Sequence, residues 1–238
     1  MPDLDSQLNY WNRVGPGKSF AHPVNFERLK QWLSPSSRIV DLGCGYGRVL
    51  GLLFERGYDN LIGLDPAPAM IALARERLPE IAFDELKTPP SLPLADGSVD
   101  AILLFSVLTC VPTDPGQRAI VEEVGRVLRP GGLFYISDLW LQTDERNRER
   151  YVRGVSKYGT YGMFDLPEGV TVRHHDPQWI ASLTRDFDAV GLDDINVLTM
   201  NGNPAKGFQW FGLKRSDIKK PLDMNNGHLN SIVRRLVS

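Results

Sequence analysis

"IVDLGCGYGRVL", Ile39 to Leu50, sets Gly43, Gly45 and Gly47 between a short apolar run and a stretch with helical spacing. A glycine-rich turn from strand into helix lets a ligand approach the backbone closely, and the helix that follows offers unpaired N–H groups. Phosphates and carboxylates both suit such a place. Dinucleotide-binding turns use Gly-x-Gly-x-x-Gly, but here Arg48 stands where the third glycine of that pattern would be. The Gly-Lys-Ser/Thr ending of a nucleoside-triphosphate loop is missing as well. The spacing disfavours both a nicotinamide cofactor, and with it an NAD-dependent oxidoreductase, and ATP or GTP.

Two carboxylates narrow the ligand. Asp41 closes the apolar run just ahead of the glycines, and Asp65 closes the next such run. A carboxylate at the end of a second strand can accept two hydrogen bonds from ribose hydroxyls. Asp41 would repel a pyrophosphate and welcome a cation, such as an ammonium or sulfonium group.

Outward from this stretch, short β-branched runs alternate with helical patterns, which predicts a parallel sheet covered by helices. Strands are expected at 38–41, 61–65, 81–83, 99–105 and 133–138, and helices near 48–56, 68–77 and 117–128. Ile120, Val121, Val124, Val127 and Leu128 form an apolar stripe on the last helix, and "RPGG" after it turns the chain into the fifth strand. From Leu141 to Gly169 the pattern changes to charges, aromatic residues and glycines, as in an inserted, partly helical cap. Asp176-Pro177 starts a helix running to about Arg185. Strands at 195–200 and 207–214, joined by "NGNPAK", suit an antiparallel pair. The basic tail either remains solvated or forms a short docked helix through Leu229, Ile232, Val233, Leu236 and Val237.

"VDLGCGYG", "LIGLDPAPAMIALAR", "LPLADGSVDAILLFSVL" and "EVGRVLRPGGLFYISD" resemble, in this order, the successive motifs of the class I S-adenosylmethionine-dependent methyltransferases. The resemblance spans roughly residues 38–140. It implies a Rossmann-like seven-stranded sheet, mostly parallel with an antiparallel last strand, helices on both faces and a helical cap after the fifth strand. It also implies S-adenosyl-L-methionine as cofactor and S-adenosyl-L-homocysteine as product. On matching positions, Asp41, Gly43, Cys44 and Gly45, with Gly47 behind them, line the methionine part. Asp65 holds the ribose, Pro66 and Met70 flank the adenine, and Phe105 approaches the methyl side. The adenine-reading acid departs from the family pattern: "FDELKTPPSLP" offers Asp84, Glu85 and Thr88, and the contact stays unassigned. The expected layout is one domain, with an N-terminal cover (1–37), cofactor core (38–140), substrate cap (141–175), C-terminal half of the sheet (176–214) and basic tail (215–238).

A formal net charge of −2 over 238 residues gives no basic field for nucleic acid, so a small-molecule acceptor is the expected partner. The first residues lack the order of a secretory signal, and the longest apolar run, 101–111, is too short to span a bilayer. Cys44 and Cys110 are too few for a disulfide framework. These features predict a cytoplasmic monomer or homodimer without a membrane partner, and no metal site is read.

Transfer from a sulfonium needs alignment of acceptor and methyl above all, and a base only if the acceptor arrives protonated. The candidate bases are His174 and His175 in "VRHHDPQW"; His22 could reach the pocket if the N-terminal segment folds over it, and His228 lies in the tail. Tyr151, Tyr158, Tyr161 and Phe164 could build an apolar acceptor pocket, with at least one tyrosine facing it. Among Arg146, Arg148, Arg150 and Arg153, one could orient a carboxylate or phosphate. Tyr10 and Trp11 are read as N-terminal cover. A cofactor-binding regulator or assembly protein that kept the fold without turnover is the alternative reading.

Overall fold

In the computed structural model, which describes residues 4–216, the run ahead of the glycines is an interior strand of a seven-stranded sheet. The chain runs α1 (Leu8–Val14), α2 (Phe26–Leu29), β1 (Ile39–Leu42), α3 (Arg48–Phe54), β2 (Leu61–Asp65), α4 (Pro68–Arg77), β3 (Ala82–Glu85) and β4 (Val99–Phe105). It continues through α5 (Asp114–Val127), β5 (Leu128–Leu139), α6 (Glu145–Tyr158), β6 (Met163–Leu166), β7 (Val170–Arg173), α7 (Pro177–Leu183), β8 (Phe187–Leu198) and β9 (Pro204–Lys214). Sheet order is β3-β2-β1-β4-β5-β9-β8, with β9 antiparallel to both neighbours.

Strand alternation divides the core between the two faces. Ile39, Ala101, Leu103, Leu133 and Tyr135 pack with α3 residues Val49, Leu50 and Leu53 on one side. Their neighbours Val40, Ile102, Leu104, Phe134 and Ile136 pack with the α5 stripe and with Ile180 and Leu183 of α7 on the other. Strands buried on both faces read as continuous apolar runs, which is why β1, β4 and β5 were visible in the sequence. Each buried side chain of this kind contributes about 1.5–3 kcal/mol. Helices α5, α6 and α7 start at side-chain caps: Thr113 accepts from Gly116 N, Asp144 from Asn147 N and Asp176 from Trp179 N.

The differences from expectation have physical causes. Strand β5 starts at Leu128, because "RPGG" forms a bulge between the pairs Val99–Leu128 and Ala101–Leu133 instead of a turn. Strand β8 begins at Phe187 and not near 195: it is a sheet edge, and its acids Asp188, Asp193 and Asp194 break the apolar signal. The cap is half helix and half hairpin, since α6 lies on the separate β6–β7 pair. Leu229, Ile232, Val233, Leu236, Val237 and His228 lie outside the described residues. No described helix is long and apolar enough to cross a membrane.

Candidate active site

The glycine loop between β1 and α3 holds Gly43, Gly45 and Gly47 all at left-handed φ, +74°, +55° and +81°. At Gly43 an added Cβ would lie 2.4 Å from Val107 Cγ2, and at Gly47 2.7 Å from the Phe83 ring, so neither position tolerates a side chain. Four of the loop's amides are already engaged. Gly43 N and Cys44 N donate to Leu64 O at 2.7 and 3.1 Å, Gly45 N to Asp65 Oδ2 at 2.9 Å and Gly47 N to Cys44 O at 3.0 Å. Those four donors are spent inside the protein and are not free to cradle a phosphate.

Asp41 and Asp65 stand at the ends of adjacent parallel strands and line a cavity of about 780 Å³, open mouth included. Cys44, Pro66, Met70 and Phe105 line it too, together with Phe20, Tyr46, Arg48 and Ser106. Gly45 and Gly47, expected to touch the ligand, do not line it: Gly45 positions Asp65 through its amide, and Gly47 starts α3 against Phe83. Asp41 is 1% exposed and its Oδ1 has no hydrogen-bond partner, an acceptor left waiting for a donor. Burial raises its pKa to about 8; the Arg48 charge pulls it down and the Asp65 charge pushes it up. Asp65 is raised by burial to about 6, against two backbone donors, Ala67 N and Gly45 N. Each carboxylate oxygen has a second lone pair, so Asp65 can still accept from a ligand hydroxyl. A group carrying an ammonium and a ribose fits this donor and acceptor set.

The adenine side stays without an acid. Asp84 pairs with Arg75 at 3.2 Å, and neither it, Glu85 nor Thr88 lines the cavity.

A second cavity, about 1030 Å³, adjoins the first and shares Phe20, Ser106 and Cys110 with it. The N-terminal segment crosses the junction: His22 lines the second cavity, and Arg48 Nη2 holds its carbonyl at 2.8 Å. Ser106 itself has φ +57°, a strained value for a non-glycine residue. The cap supplies Phe164, Leu166, Val172, Arg146, Asn147, Arg150 and His174. None of Tyr151, Tyr158 and Tyr161 lines this cavity, contrary to expectation. Tyr151 is fully buried behind His174, Tyr158 is tied to Asp165 and Thr171, and Tyr161 packs edge-on against Tyr151. Arg148 and Arg153 are exposed and do not reach it. Tyr10 is buried in the cap's apolar cluster and Trp11 lines the first cavity.

The histidines are placed differently from expectation. His175 lines neither of these cavities; its Nε2 is 2.9 Å from Gln117 Nε2 and its Nδ1 3.3 Å from Leu139 O. Burial holds it far below its ordinary pKa, and its two hydrogen bonds tie α5 to β5, away from both cavities. His174 lines the second cavity, but Gln142 N donates to Tyr151 Oη at 3.0 Å and Tyr151 Oη meets His174 Nδ1 at 2.6 Å. The buried tyrosine's proton has only Nδ1 to bond, so Nδ1 accepts and Nε2 carries the proton of the neutral ring. Burial first, then the Arg150 charge, lower His174 to about 4. It is therefore a hydrogen-bond donor at neutral pH and not the expected base. His22, lowered by burial to about 4, bonds Ser137 Oγ at 3.0 Å, and either partner can donate.

Residues 40–136 match the family model described as "Methyltransferase domain". An uncharacterized methyltransferase of Mycobacterium tuberculosis strain H37Rv is 37% identical over 190 residues, covering 76% of this chain and 73% of that protein. A ubiquinone biosynthesis O-methyltransferase of Idiomarina loihiensis is 28% identical over 177 residues, 72% of this chain and 68% of that one. A crystal structure of a methyltransferase from Methanosarcina mazei, described as SAM-dependent, superposes with a TM-score of 0.76 at 23% identity, covering 82% of this chain and 100% of that one. The chain belongs to the class I S-adenosylmethionine-dependent methyltransferases. Its cofactor is S-adenosyl-L-methionine.

Proposed function

We propose that this chain methylates a small molecule held in the second cavity, chiefly by presenting it in line to the methyl group. The observation that carries the reading is the shared wall of Phe20, Ser106 and Cys110, by which a second, partly open cavity adjoins the one lined by Asp41 and Asp65. S-adenosylmethionine supplies a methyl already activated as a sulfonium and leaves as S-adenosylhomocysteine. In this reading Asp41 receives the ammonium, Arg48 the carboxylate and Asp65 the ribose hydroxyls. Gly43 and Cys44 form the wall beside the methionine, Pro66 and Met70 flank the adenine, and Phe105 closes the methyl side. Phe20 and the backbone of His22 exclude water from the junction. Holding acceptor and methyl in an attack geometry is worth about 7–11 kcal/mol of the barrier. His22 and His174, both lowered to about 4, stay neutral at pH 7, so positioning and not a strong histidine base carries the transfer in this reading. The acceptor atom is oxygen, nitrogen or carbon, and the near-neutral charge favours an acceptor other than nucleic acid.

Incubation of the full chain with S-adenosylmethionine labelled in its methyl group tests this. The acceptor panel contains phenols, carboxylic acids, amines and total RNA. Label entering a small molecule is expected; label entering RNA alone, or cofactor binding with no transfer to any acceptor, would overturn it.

A further inference from the structure

The polar groups that line the second cavity are unevenly matched. Arg146 and Arg150, one helical turn apart on α6, both line it, and among the described residues neither makes a salt bridge, although the Asp144 charge at the start of α6 acts on both. Arg146 Nη1 donates only to Asn203 Oδ1 at 3.1 Å, and Arg150 Nη1 to Asn147 Oδ1 at 3.4 Å, both neutral acceptors. Arg150 is half-buried, its guanidinium over the Phe164 ring at 5.3 Å. Burial first, then the like charge of Arg146 and to a smaller extent Arg153, lower its pKa, with Tyr151 and Asp144 opposing. The one acid on the cavity wall, Glu168, is already taken by Lys18 at 2.8 Å and by Asn201 Nδ2 at 2.8 Å. His174 adds a third donor, its Nε2–H. An apolar stretch of the wall, Leu139, Phe164, Leu166, Val172 and Met200, faces the cavity beside uncharged polar side chains such as Thr109, Gln142, Asn147 and Asn201.

Two arginines without a salt bridge and the His174 N–H, gathered at one part of the cavity, favour an anionic oxygen group on a molecule with an apolar body, because half-buried Arg150 has only a neutral amide as hydrogen-bond acceptor. We infer that the acceptor is a small amphipathic acid, with an apolar or aromatic body along the cap hairpin and a carboxylate or phosphate head on Arg150, Arg146 and His174. Its far end is the part methylated, since Phe20, Ser106 and Cys110 are where the two cavities meet. The inference rests on the small-molecule reading above and narrows it.

Calorimetry on the full chain saturated with S-adenosylhomocysteine tests it with 3-phenylpropanoate, 3-phenylpropyl phosphate and the neutral 3-phenylpropanamide. At least one anion is expected to bind about tenfold or more tighter than the amide, and the tighter of the two identifies the head group. In Arg150→Gln that preference is expected to fall below about threefold. Arg146→Gln, on the exposed rim, gives the same reading should Arg150→Gln not fold, folding being judged by S-adenosylhomocysteine affinity. Anion and amide of equal affinity, no anion bound at about 5 mM, or a preference surviving both substitutions would overturn the inference. Retained S-adenosylhomocysteine binding in those cases means that the acceptor class alone has failed. Loss of it in the unmodified chain would mean that the methyltransferase reading fails with it.

Discussion

Asp41 is a fully buried acid with one unpartnered oxygen, and that state has a thermodynamic signature. With its pKa raised to about 8, it is largely protonated at neutral pH, and an ammonium beside it restores the charge. Cofactor binding is therefore expected to release a proton near pH 7 and to tighten as pH rises from about 6 to about 8. Calorimetry in buffers of different ionisation enthalpy measures the release directly. The same acid bears on stability. A folded pKa raised above the unfolded value gives stability that is complete below pH 3.8 and is lost as pH rises through about 8. Asp41→Asn is accordingly expected to raise the melting temperature, more at pH 8 than at pH 4, while weakening S-adenosylmethionine binding. Asp65→Ala is expected to weaken the cofactor by about 1–3 kcal/mol, the scale of hydrogen bonds to a charged group, and a titration would register it. Both acids were legible because each ends a strand beside the glycines. The donor state of His174 was not legible, for it depends on Tyr151, and their bond spans the whole cap.

Among the elements, helix α6 against strand β6 decides the shape of the acceptor cavity, and Gly154 decides how closely they approach. An added Cβ there would stand 1.7 Å from Met163 O, a backbone atom that cannot move alone. Gly154→Ala is expected to force α6 off the hairpin and to cost about 1–3 kcal/mol or more, read as a lowered melting temperature with α6 and the β6–β7 pair exchanging amide protons faster. The contact was invisible in the sequence, where Gly154 is one glycine in a charged helix. Apolar periodicity found α5 and the inner strands, which bury a stripe or both faces. It failed at β8 and at β6–β7, whose pairing is satisfied by edges and whose residues are mixed in polarity.

At the scale of the whole molecule, the N-terminal segment joins parts that the chain keeps far apart. Gln7 Oε1 accepts from Thr171 N at 2.6 Å and its Nε2 donates to Thr171 O at 2.8 Å and Cys110 O at 3.2 Å. Asn12 Oδ1 accepts from Ala69 N at 3.1 Å, at the start of the helix that carries Met70. One short segment thus ties the cap, the cofactor core and the wall between the cavities. Gln7→Ala is expected to weaken S-adenosylhomocysteine binding and to raise hydrogen exchange in β7, although Gln7 itself does not line the cofactor cavity. The inner strands, the glycine turn and the two acids could be read along the chain, because they depend on local periodicity and on neighbouring residues. Which histidine donates, which arginines lack a salt bridge and where the second cavity lies came only with the folded arrangement. Each of these depends on hydrogen bonds and charges brought together from the N-terminus, the cap and the last strands.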